Sequence, residues 1–268
     1  MTRPTKAIVI AAGRGRRLVP YTDEMPKCMV PVDHRSIAQV QLEALRAHGI
    51  TDVVFIRGYL GEVLEARAGE LGDVRFIDNN DWENNNILES LFCAAAELDG
   101  PVLTTYSDII FTPEVVGALI DAPGDVALVI DRDFRDIYEG RTEHPLEQAE
   151  VCDLDESGGV ARVGKRALPP EQAWGEFIGL AKLSATGAAA FTSAWSELCE
   201  RYRGRADQPF ERAPTFRQAY LTDLLQHLIN GGLRVEPVGI HGSWREIDTV
   251  QDLQRARALL SSTAKTWR

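Results

Sequence analysis

The sequence predicts an α/β fold with a Rossmann-like, mostly parallel mixed sheet and helices on both of its faces. Short apolar, β-branched segments such as 6–10 and 52–56 alternate with segments of helical periodicity such as 37–48. This alternation is typical of βαβ units, whose helices cover both faces of a parallel sheet. Ligands of such sheets bind beyond the carboxyl ends of the strands, so we look for function in the loops that follow predicted strands.

Elements of both kinds continue through the chain. The predicted strands of the first half are 6–10, 52–56, 73–77, 101–111 and 125–130. The helical segments between them are 37–48, 60–71 and 87–98. In the second half, strands at 150–155 and 160–164 flank Gly158-Gly159, which is a hairpin signal. The remaining elements are a strand at 174–183, helices at 185–202 and 220–228, a strand at 234–239 and a terminal helix at 250–260.

The composition is that of an ordinary globular protein. Of the 268 residues, 44% are hydrophobic and 26% are charged, which suits a chain with a sizeable core. A net charge of -11 argues against nucleic acid as a partner, because phosphate backbones bind basic surfaces. No apolar run reaches the roughly 18 residues of a membrane span, so we expect no membrane partner. Four cysteines without CxxC spacing and the lack of a signal-peptide pattern predict a cytoplasmic protein.

The loop at 11–18 is the strongest functional signal. It reads Ala11-Ala12-Gly13-Arg14-Gly15-Arg16-Arg17-Leu18 directly after the first predicted strand, and Pro26-Lys27 follows. Glycines let backbone N–H groups approach an anion, and the nearby cations stand out in an acidic chain. An ordinary strand-to-helix turn with solvated arginines is the alternative. The loop is not a dinucleotide G-x-G-x-x-G, because Leu18 takes the place of the last glycine, and it lacks the G-K-[ST] of a Walker A loop.

The run Gly13-Arg-Gly15-Arg-Arg17-Leu18 followed by Pro26-Lys27 resembles the G-x-G-x-R-L…P-K signature of nucleotidyltransferases. These enzymes join a nucleoside monophosphate to a sugar phosphate or a small phospho-alcohol. The resemblance implies a nucleotidyltransferase (GT-A-like) fold in a single domain of residues 1–268. It further implies a core of 1–130 and 183–268 and a smaller inserted acceptor-binding β region at about 131–182.

The polar stretch at 79–86 precedes the third predicted helix. Its asparagines suit a turn and a helix N-cap, and their amides equally suit contact with a base edge or a ribose. The resembled family has a similar Asn-Asn…Ser-Leu segment beside the nucleotide, which matches Asn84-Asn85 and Ser90-Leu91 here.

Two aspartates are candidate metal ligands. Asp108 could cap the helix that begins at Pro113 or hold a divalent cation, and Asp248 could be the N-cap of the terminal helix. The resemblance implies magnesium for both. Asp108 matches the G-D or D-x-D aspartate of the family, and the segment 244–253 matches its W-x-[ED]-[IV]-D-T-x-x-D/E-L element.

Acceptor recognition is expected in residues 131–182. The chain looks most like bacterial phosphocholine and 2-aminoethylphosphonate cytidylyltransferases, and Tyr138-x-Gly-Arg141-Thr-x-His144-Pro145 looks like the phosphonate branch. A quaternary ammonium acceptor would call for aromatic walls and a carboxylate, whereas arginine and histidine would suit a more anionic phosphonate. The candidate acceptor-binding residues are Arg132, Asp133, Arg141, His144, Glu176 and Lys182.

The resemblance implies that CTP donates CMP to a small phosphonate or phospho-alcohol such as phosphocholine, with release of pyrophosphate and with Mg2+ as cofactor. Lys27 and Arg17 are the candidate catalytic cations. The candidate nucleotide-binding residues are Ala11, Ala12, Gly13, Arg14, Gly15, Arg16, Gly58, Tyr59, Asn84, Asn85, Ser90 and Ser107. Two other functions stay open: a sugar-1-phosphate nucleotidyltransferase using UTP, dTTP or GTP, and a non-catalytic nucleotide-binding regulatory domain. The sequence does not fix the oligomeric state, and a homodimer is one possible assembly.

Overall fold

The computed structural model describes residues 3–261. Its strands are β1 (Lys6–Ala11), β2 (Asp52–Arg57), β3 (Arg75–Asp78), β4 (Val102–Tyr106), β5 (Ile109–Phe111), β6 (Val126–Asp131), β7 (Glu150–Leu154), β8 (Val160–Lys165), β9 (Gly175–Leu183), β10 (Glu236–Ile240) and β11 (Trp244–Glu246). Its α-helices are α1 (Ile37–Arg46), α2 (Gly61–Ala66), α3 (Ile87–Cys93), α4 (Pro113–Asp121), α5 (Phe134–Tyr138), α6 (Ala185–Arg201), α7 (Leu221–Asn230) and α8 (Val250–Ser261). None of the helices in this range is long and apolar enough to span a membrane.

The central sheet has the strand order β10-β6-β9-β4-β1-β2-β3. Strands β1, β2, β3 and β4 run parallel, and so do β6 and β10, whereas β9 runs antiparallel between β4 and β6. The hairpin of β7 and β8 extends from the first residues of β9. The predicted mostly parallel mixed sheet and the predicted hairpin are therefore confirmed.

Helices cover both faces of the sheet because its strands are apolar on both sides. In β1, Ile8 and Ile10 join one core with residues of α3, α6 and α7, while Ala7 and Val9 join a second core with residues of α1 and α4. Alternation of side chains along a strand produces this division. A third, smaller core fixes α8 against α1 and the first loop through contacts that include Leu18 and Leu253.

The structure corrects three of the predicted elements. The predicted strand at 101–111 is two strands, β4 and β5, because the chain turns at Ser107-Asp108. The predicted helices 60–71 and 87–98 are shorter, and each continues only as a separate 3-10 turn. Residues 175–183, which overlap the end of the predicted inserted region, form a fully buried strand that pairs with β4 and β6 in the core sheet.

Candidate active site

A cleft of about 370 Å³ opens where the carboxyl ends of β1 and β4 meet the start of β9. This is the size of a small-molecule site. One wall comes from the loop after β1 and the start of α3, and the other from β7, β8, β9 and the segment 138–148. The turn between β4 and β5 and the residues after β11 lie between the two walls.

The glycine-rich loop leaves β1 and lines the cleft with Ala12, Gly13, Gly15, Arg16 and Arg17. Gly15 adopts the left-handed conformation, with φ of 65°, and its carbonyl accepts hydrogen bonds from the amide of Leu18 and the hydroxyl of Thr22. The buried side chain of Leu18 anchors the end of the loop. The loop is therefore fixed in shape while its glycines face the cleft.

Gly58 and Tyr59 support this loop from outside the cleft. The Tyr59 amide donates to the carbonyl of Ala12 at 3.0 Å, and its hydroxyl donates to the carbonyl of Thr22 at 3.0 Å. A Cβ at Gly58 would lie 2.8 Å from the Ala12 carbonyl oxygen and 2.7 Å from the Trp82 side chain. The sequence reasoning placed both residues at the nucleotide; the structure shows contacts with the loop instead.

Lys27 lies between the two predicted metal ligands. Its Nζ is 2.7 Å from Oδ2 of Asp108 and 2.8 Å from Oδ1 of Asp248. The stem of Lys27 packs under Gly15, where an added Cβ would come within 3.1 Å of it. Burial alone would lower the pKa of Lys27, but the charges of Asp108 and Asp248 outweigh burial and raise that pKa.

The two aspartates meet because β5 and β11 pair antiparallel. Ile109 is opposite Glu246, and the amide of Ile247 donates to the carbonyl of Asp108 at 2.7 Å. Asp108 and Asp248 are thereby brought to one point although they are far apart in sequence. The sequence placed Asp108 and Asp248 together only by analogy; the pairing of two three-residue strands is the physical cause.

Neither aspartate is needed as a helix cap. Thr112 is the N-cap of α4, so Asp108 is not. At α8 the reciprocal hydrogen bonds are made by Thr249 and Asp252: the Thr249 amide donates to Oδ2 of Asp252 at 2.9 Å, and the Asp252 amide donates to Oγ1 of Thr249 at 3.1 Å. The carboxylate of Asp248 is left to face the cleft.

Arg17 and His144 complete the surroundings of Asp248. An Arg17 guanidinium nitrogen pairs with Oδ2 of Asp248, and His144 Nδ1 lies 2.9 Å from the same oxygen. Burial by itself would raise the pKa of Asp248, but the charge of Lys27, the hydrogen bond with His144 and the charge of Arg17 together lower it. Asp248 is therefore held as a carboxylate.

Arg141 is buried behind this cluster. Its Nε and Nη2 donate to the two oxygens of Asp252 at 2.7 and 2.9 Å, and Nη2 also donates to Glu246 at 2.7 Å. Arg141 was expected to bind the acceptor. The structure instead makes it the link between the segment 138–148, α8 and the end of β11.

Among the predicted asparagines, the structure separates Asn85 from Asn84. Asn85 lines the cleft and exchanges amide hydrogen bonds of 2.9 and 3.0 Å with the buried Asn79, which also donates to Oγ of Ser90 at 2.8 Å. Asn84 is exposed and donates to Asp81. The cleft wall at this point is completed by Trp82, Asn86, Ile87 and Ser90.

The opposite wall carries two tyrosine–glutamate pairs. Tyr138 donates its hydroxyl proton to Oε1 of Glu176 at 2.8 Å, and Tyr106 donates to Oε2 of Glu150 at 3.0 Å. Lys165 is the cross-strand partner of Glu150 in the hairpin, and its Nζ lies 4.4 Å from the centre of the Tyr220 ring. Burial raises the pKa of Glu150 to about 7 and that of Glu176 well above its ordinary value.

Three predicted acceptor residues lie away from the cleft. Lys182 is at the far end of β9, where Nζ donates to the carbonyls of Ile120 and Ala122 at the end of α4. Arg132 stacks on Trp174, 4.1 Å from the ring centre, and Asp133 pairs with His241 at 3.0 Å.

The remaining predicted nucleotide-binding residues are divided. Ala11 is buried in the sheet, and Arg14 lies over the Tyr59 ring. Ser107 lines the cleft.

The cleft residues that the sequence did not predict include Glu150, Lys165, Tyr220 and Glu246. A signal for two of them was present, because a hairpin turning at Gly158-Gly159 pairs the first residue of one strand with the last residue of the other. Applied to the predicted strands 150–155 and 160–164, this rule puts Glu150 opposite Gly164, one residue short of its observed partner Lys165. Nothing in the local sequence marks Tyr220.

The donor set at the floor of the cleft fits a magnesium ion. The carboxylates of Asp108 and Asp248 converge on one point, shown by their common contact with Lys27, and carboxylate oxygens are preferred magnesium ligands. In the described part of the chain, ligand atoms of His144, Glu246 and Asp248 also lie within 4.8 Å of one another. Because that group includes an imidazole, the two aspartates suit magnesium better.

Together, a glycine-rich loop at the end of a first parallel strand and a lysine held between two carboxylates define a nucleotide-dependent transferase class of α/β protein. The chain belongs to the MobA-like NTP transferase domain family, whose sequence pattern matches residues 7–266. The predicted nucleotidyltransferase family and fold are thus confirmed.

Individual relatives agree with this assignment. The chain is 31% identical to the CTP:phosphoglutamine cytidylyltransferase of Campylobacter jejuni over 92% of its own length and 97% of that protein. It is 27% identical to a glucose-1-phosphate thymidylyltransferase of Streptomyces antibioticus over 92% of its own length and 64% of that protein. The solved structure of CTP:phosphocholine cytidylyltransferase from Streptococcus pneumoniae superposes with a TM-score of 0.70 at 22% identity, covering 96% of this chain and 99% of that one.

Proposed function

We propose that this nucleotidyltransferase transfers CMP from CTP to a small acceptor that carries a phosphate or phosphonate group, with release of pyrophosphate. The observation that supports the proposal is that Lys27 lines a cleft whose two walls differ in chemistry. One wall is the glycine-rich loop, and the other is the pair of tyrosine–glutamate contacts. The resemblance to a full-length CTP-using relative supports cytidine as the base.

The nucleotide belongs on the loop side. Backbone N–H groups between Ala12 and Arg16 can donate to the β- and γ-phosphates, with Arg16 and Arg17 supplying positive charge. The amide of Asn85, fixed by Asn79, and the hydroxyl of Ser90 are available to the base or the ribose. Trp82 offers an aromatic surface beside them.

The acceptor belongs on the opposite side, where Tyr138, Glu176 and Glu150 face the cleft. One acceptor oxygen would attack the α-phosphorus, forming a new P–O bond while the bond from that phosphorus to the β-phosphate oxygen breaks. The electron pair of the broken bond leaves with pyrophosphate. Because the attacking oxygen is already an anion, no general base is required, and positioning and electrostatics carry the catalysis.

Lys27 is placed to reduce repulsion between the anions that must meet. Its ammonium group can contact an α-phosphate or acceptor oxygen after exchanging one of its carboxylate partners. Arg17 can leave Asp248 in the same way to reach the phosphates, since its side chain is half exposed. Asp108 and Asp248 would hold Mg2+, which would neutralise phosphate charge and make the phosphorus more electrophilic.

A substrate panel tests the proposal. CTP, UTP, dTTP, ATP and GTP are each incubated with phosphocholine, phosphoethanolamine, 2-aminoethylphosphonate, phosphoglutamine and glucose 1-phosphate, with magnesium or with EDTA. We expect magnesium-dependent pyrophosphate release with CTP and a CMP-linked product by phosphorus NMR. Release with dTTP or UTP and glucose 1-phosphate alone would support the sugar-nucleotide alternative, which the Streptomyces relative favours. No release from any pair would overturn an enzymatic function.

A further inference from the structure

We propose that Glu150 is the specificity residue for the far end of the acceptor, and that it selects acceptors bearing a primary ammonium group. The inference rests on the proposed function and deepens it, because it names the chemical class of the acceptor. The geometry points to a donor-bearing cation in particular, rather than to a sugar or a quaternary ammonium.

The first observation is an unsatisfied oxygen. Glu150 is 6% exposed and lines the cleft. The Tyr106 hydroxyl donates to its Oε2 at 3.0 Å, whereas Oε1 is buried without a hydrogen-bond partner. A buried acceptor left unpaired costs free energy, so native structures pair such atoms in the functional state. A donor that enters through the cleft would supply the missing partner.

The second observation concerns charge. A buried carboxylate without a counter-ion is unfavourable, and burial accordingly raises the pKa of Glu150 despite the charge of Lys165. Lys165 is the register partner of Glu150 across the hairpin, but its Nζ lies over the ring of Tyr220. A ligand cation with N–H groups would supply both the missing donor and the missing charge.

The unpaired oxygen of Glu150 favours a primary amine over a trimethylated one. The cleft residues around it include Tyr106, Lys165 and Tyr220, whose rings could pack against either kind of ammonium group, so the hydrogen bond makes the difference. A trimethylammonium group has no N–H to donate, so it would leave Oε1 of Glu150 unpaired while removing that oxygen from water. A hydroxyl could donate but would bring no charge. Discrimination against ligands that leave a buried polar atom unpaired is characteristically strong.

The test compares matched acceptors on wild-type protein and on two variants. Phosphoethanolamine is matched with phosphocholine, and 2-aminoethylphosphonate with 2-hydroxyethylphosphonate. Glu150→Gln keeps the shape and removes the charge, whereas Glu147→Gln is the control, because Glu147 is exposed three residues earlier in the same segment. For each pair, kcat/KM for the acceptor and KM for CTP are measured, and folding of each variant is checked by circular dichroism.

We expect the primary amines to be favoured in wild-type protein, and Glu150→Gln to lower their kcat/KM by about 10- to 100-fold, the scale of a hydrogen bond to a charged group. The KM for CTP and the rates with hydroxyl or trimethyl acceptors should change little. Equal use of both members of each pair, or equal losses in them, would overturn this inference and leave the proposed function standing. No pyrophosphate from any acceptor would overturn the proposed function and this inference with it. If Glu150→Gln does not fold, Tyr106→Phe, which removes the hydroxyl that orients Glu150, should give the same selective loss.

Discussion

Arg141 and Asp252, which are 111 positions apart in sequence, form a two-pronged ion pair in the interior, with donor–acceptor distances of 2.7 and 2.9 Å. Asp252 also exchanges the hydrogen bonds with Thr249 that cap α8. The ion pair therefore fixes the N-terminus of this helix to the segment 138–148. Asp248 lies directly before this cap, so its position in the cleft depends on the same contact.

Replacing Arg141 with alanine should destabilise the protein by about 3 to 5 kcal/mol, because Asp252 and Glu246 would lose a buried cation. Urea unfolding followed by circular dichroism measures the change. Arg162→Ala is the control, since its ion pair with Asp153 lies at the surface and should contribute within about 1 kcal/mol. A loss at Arg141 no larger than that of the control would show that the buried pair does not secure α8.

Replacing either cleft aspartate should abolish activity, but the two replacements should differ in their effect on the stability of the protein. Asp108→Asn and Asp248→Asn should each abolish turnover, since each removes a carboxylate from the proposed magnesium site. Asp248 is the more buried and has three cationic or hydrogen-bonding partners, so only Asp248→Asn should also lower the melting temperature clearly. Pyrophosphate release across a magnesium titration and differential scanning fluorimetry check both statements; near-wild-type rates at low magnesium would contradict the metal assignment.

The sequence predicted the fold and the loop well because both depend on local patterns. Buried strands, a glycine-rich loop and a hairpin turn are each encoded by neighbouring residues, as in 6–18 and around Gly158-Gly159. Asp108 and Asp248 were placed together only through a resemblance, since the short strands that pair them carry no pattern of their own.

Some of the predicted acceptor residues lie away from the cleft for a related reason. Lys182 lies on the same strand as the predicted Glu-Phe-Ile-Gly motif, but β9 is nine residues long, so Lys182 lies at the opposite end of the strand from Glu176. Arg141 lies in the predicted segment, yet its interior partner comes from α8. Which end of a strand faces a ligand, and which charge is paired inside, depend on packing between distant parts of the chain.

Asn85→Ala should raise the KM for CTP by about tenfold, as expected for a lost hydrogen bond to the nucleotide. Asn84→Ala is the matched control, because Asn84 is adjacent in sequence but exposed and bonded to Asp81. Steady-state kinetics with saturating acceptor measures both. Equal effects at the two positions would contradict the separation that the structure makes between them.

Lys182→Met should leave kcat and both KM values unchanged. Its Nζ donates to two carbonyls at the end of α4, so the variant should lose only stability, by about 1.5 to 3 kcal/mol, the scale of a hydrogen bond that involves a charged group. Kinetics and urea unfolding are measured on the same preparation. A selective rise in the KM for the acceptor would return Lys182 to the acceptor site.

Glu150 should make the stability of the ligand-free protein decrease as the pH rises. Its pKa is about 7 in the folded protein, against an ordinary value of 4.5, so the contribution of this group to stability is present below 4.5 and is lost as the pH rises through 7. The groups that influence it most, Lys165 and Tyr106, remain in both wild-type and variant protein.

Glu150→Gln removes that titration, so the free energy of unfolding of the variant relative to wild type should rise by roughly 2 to 3 kcal/mol between pH 5 and pH 8.5. Urea unfolding at a series of pH values measures the difference, in which the other titrating groups largely cancel. Glu147→Gln should give a flat difference, because Glu147 is exposed. A flat difference for Glu150→Gln as well would show that the Glu150 carboxyl is solvated or paired in the free protein. The unpaired oxygen that is proposed to receive the acceptor ammonium would then be absent.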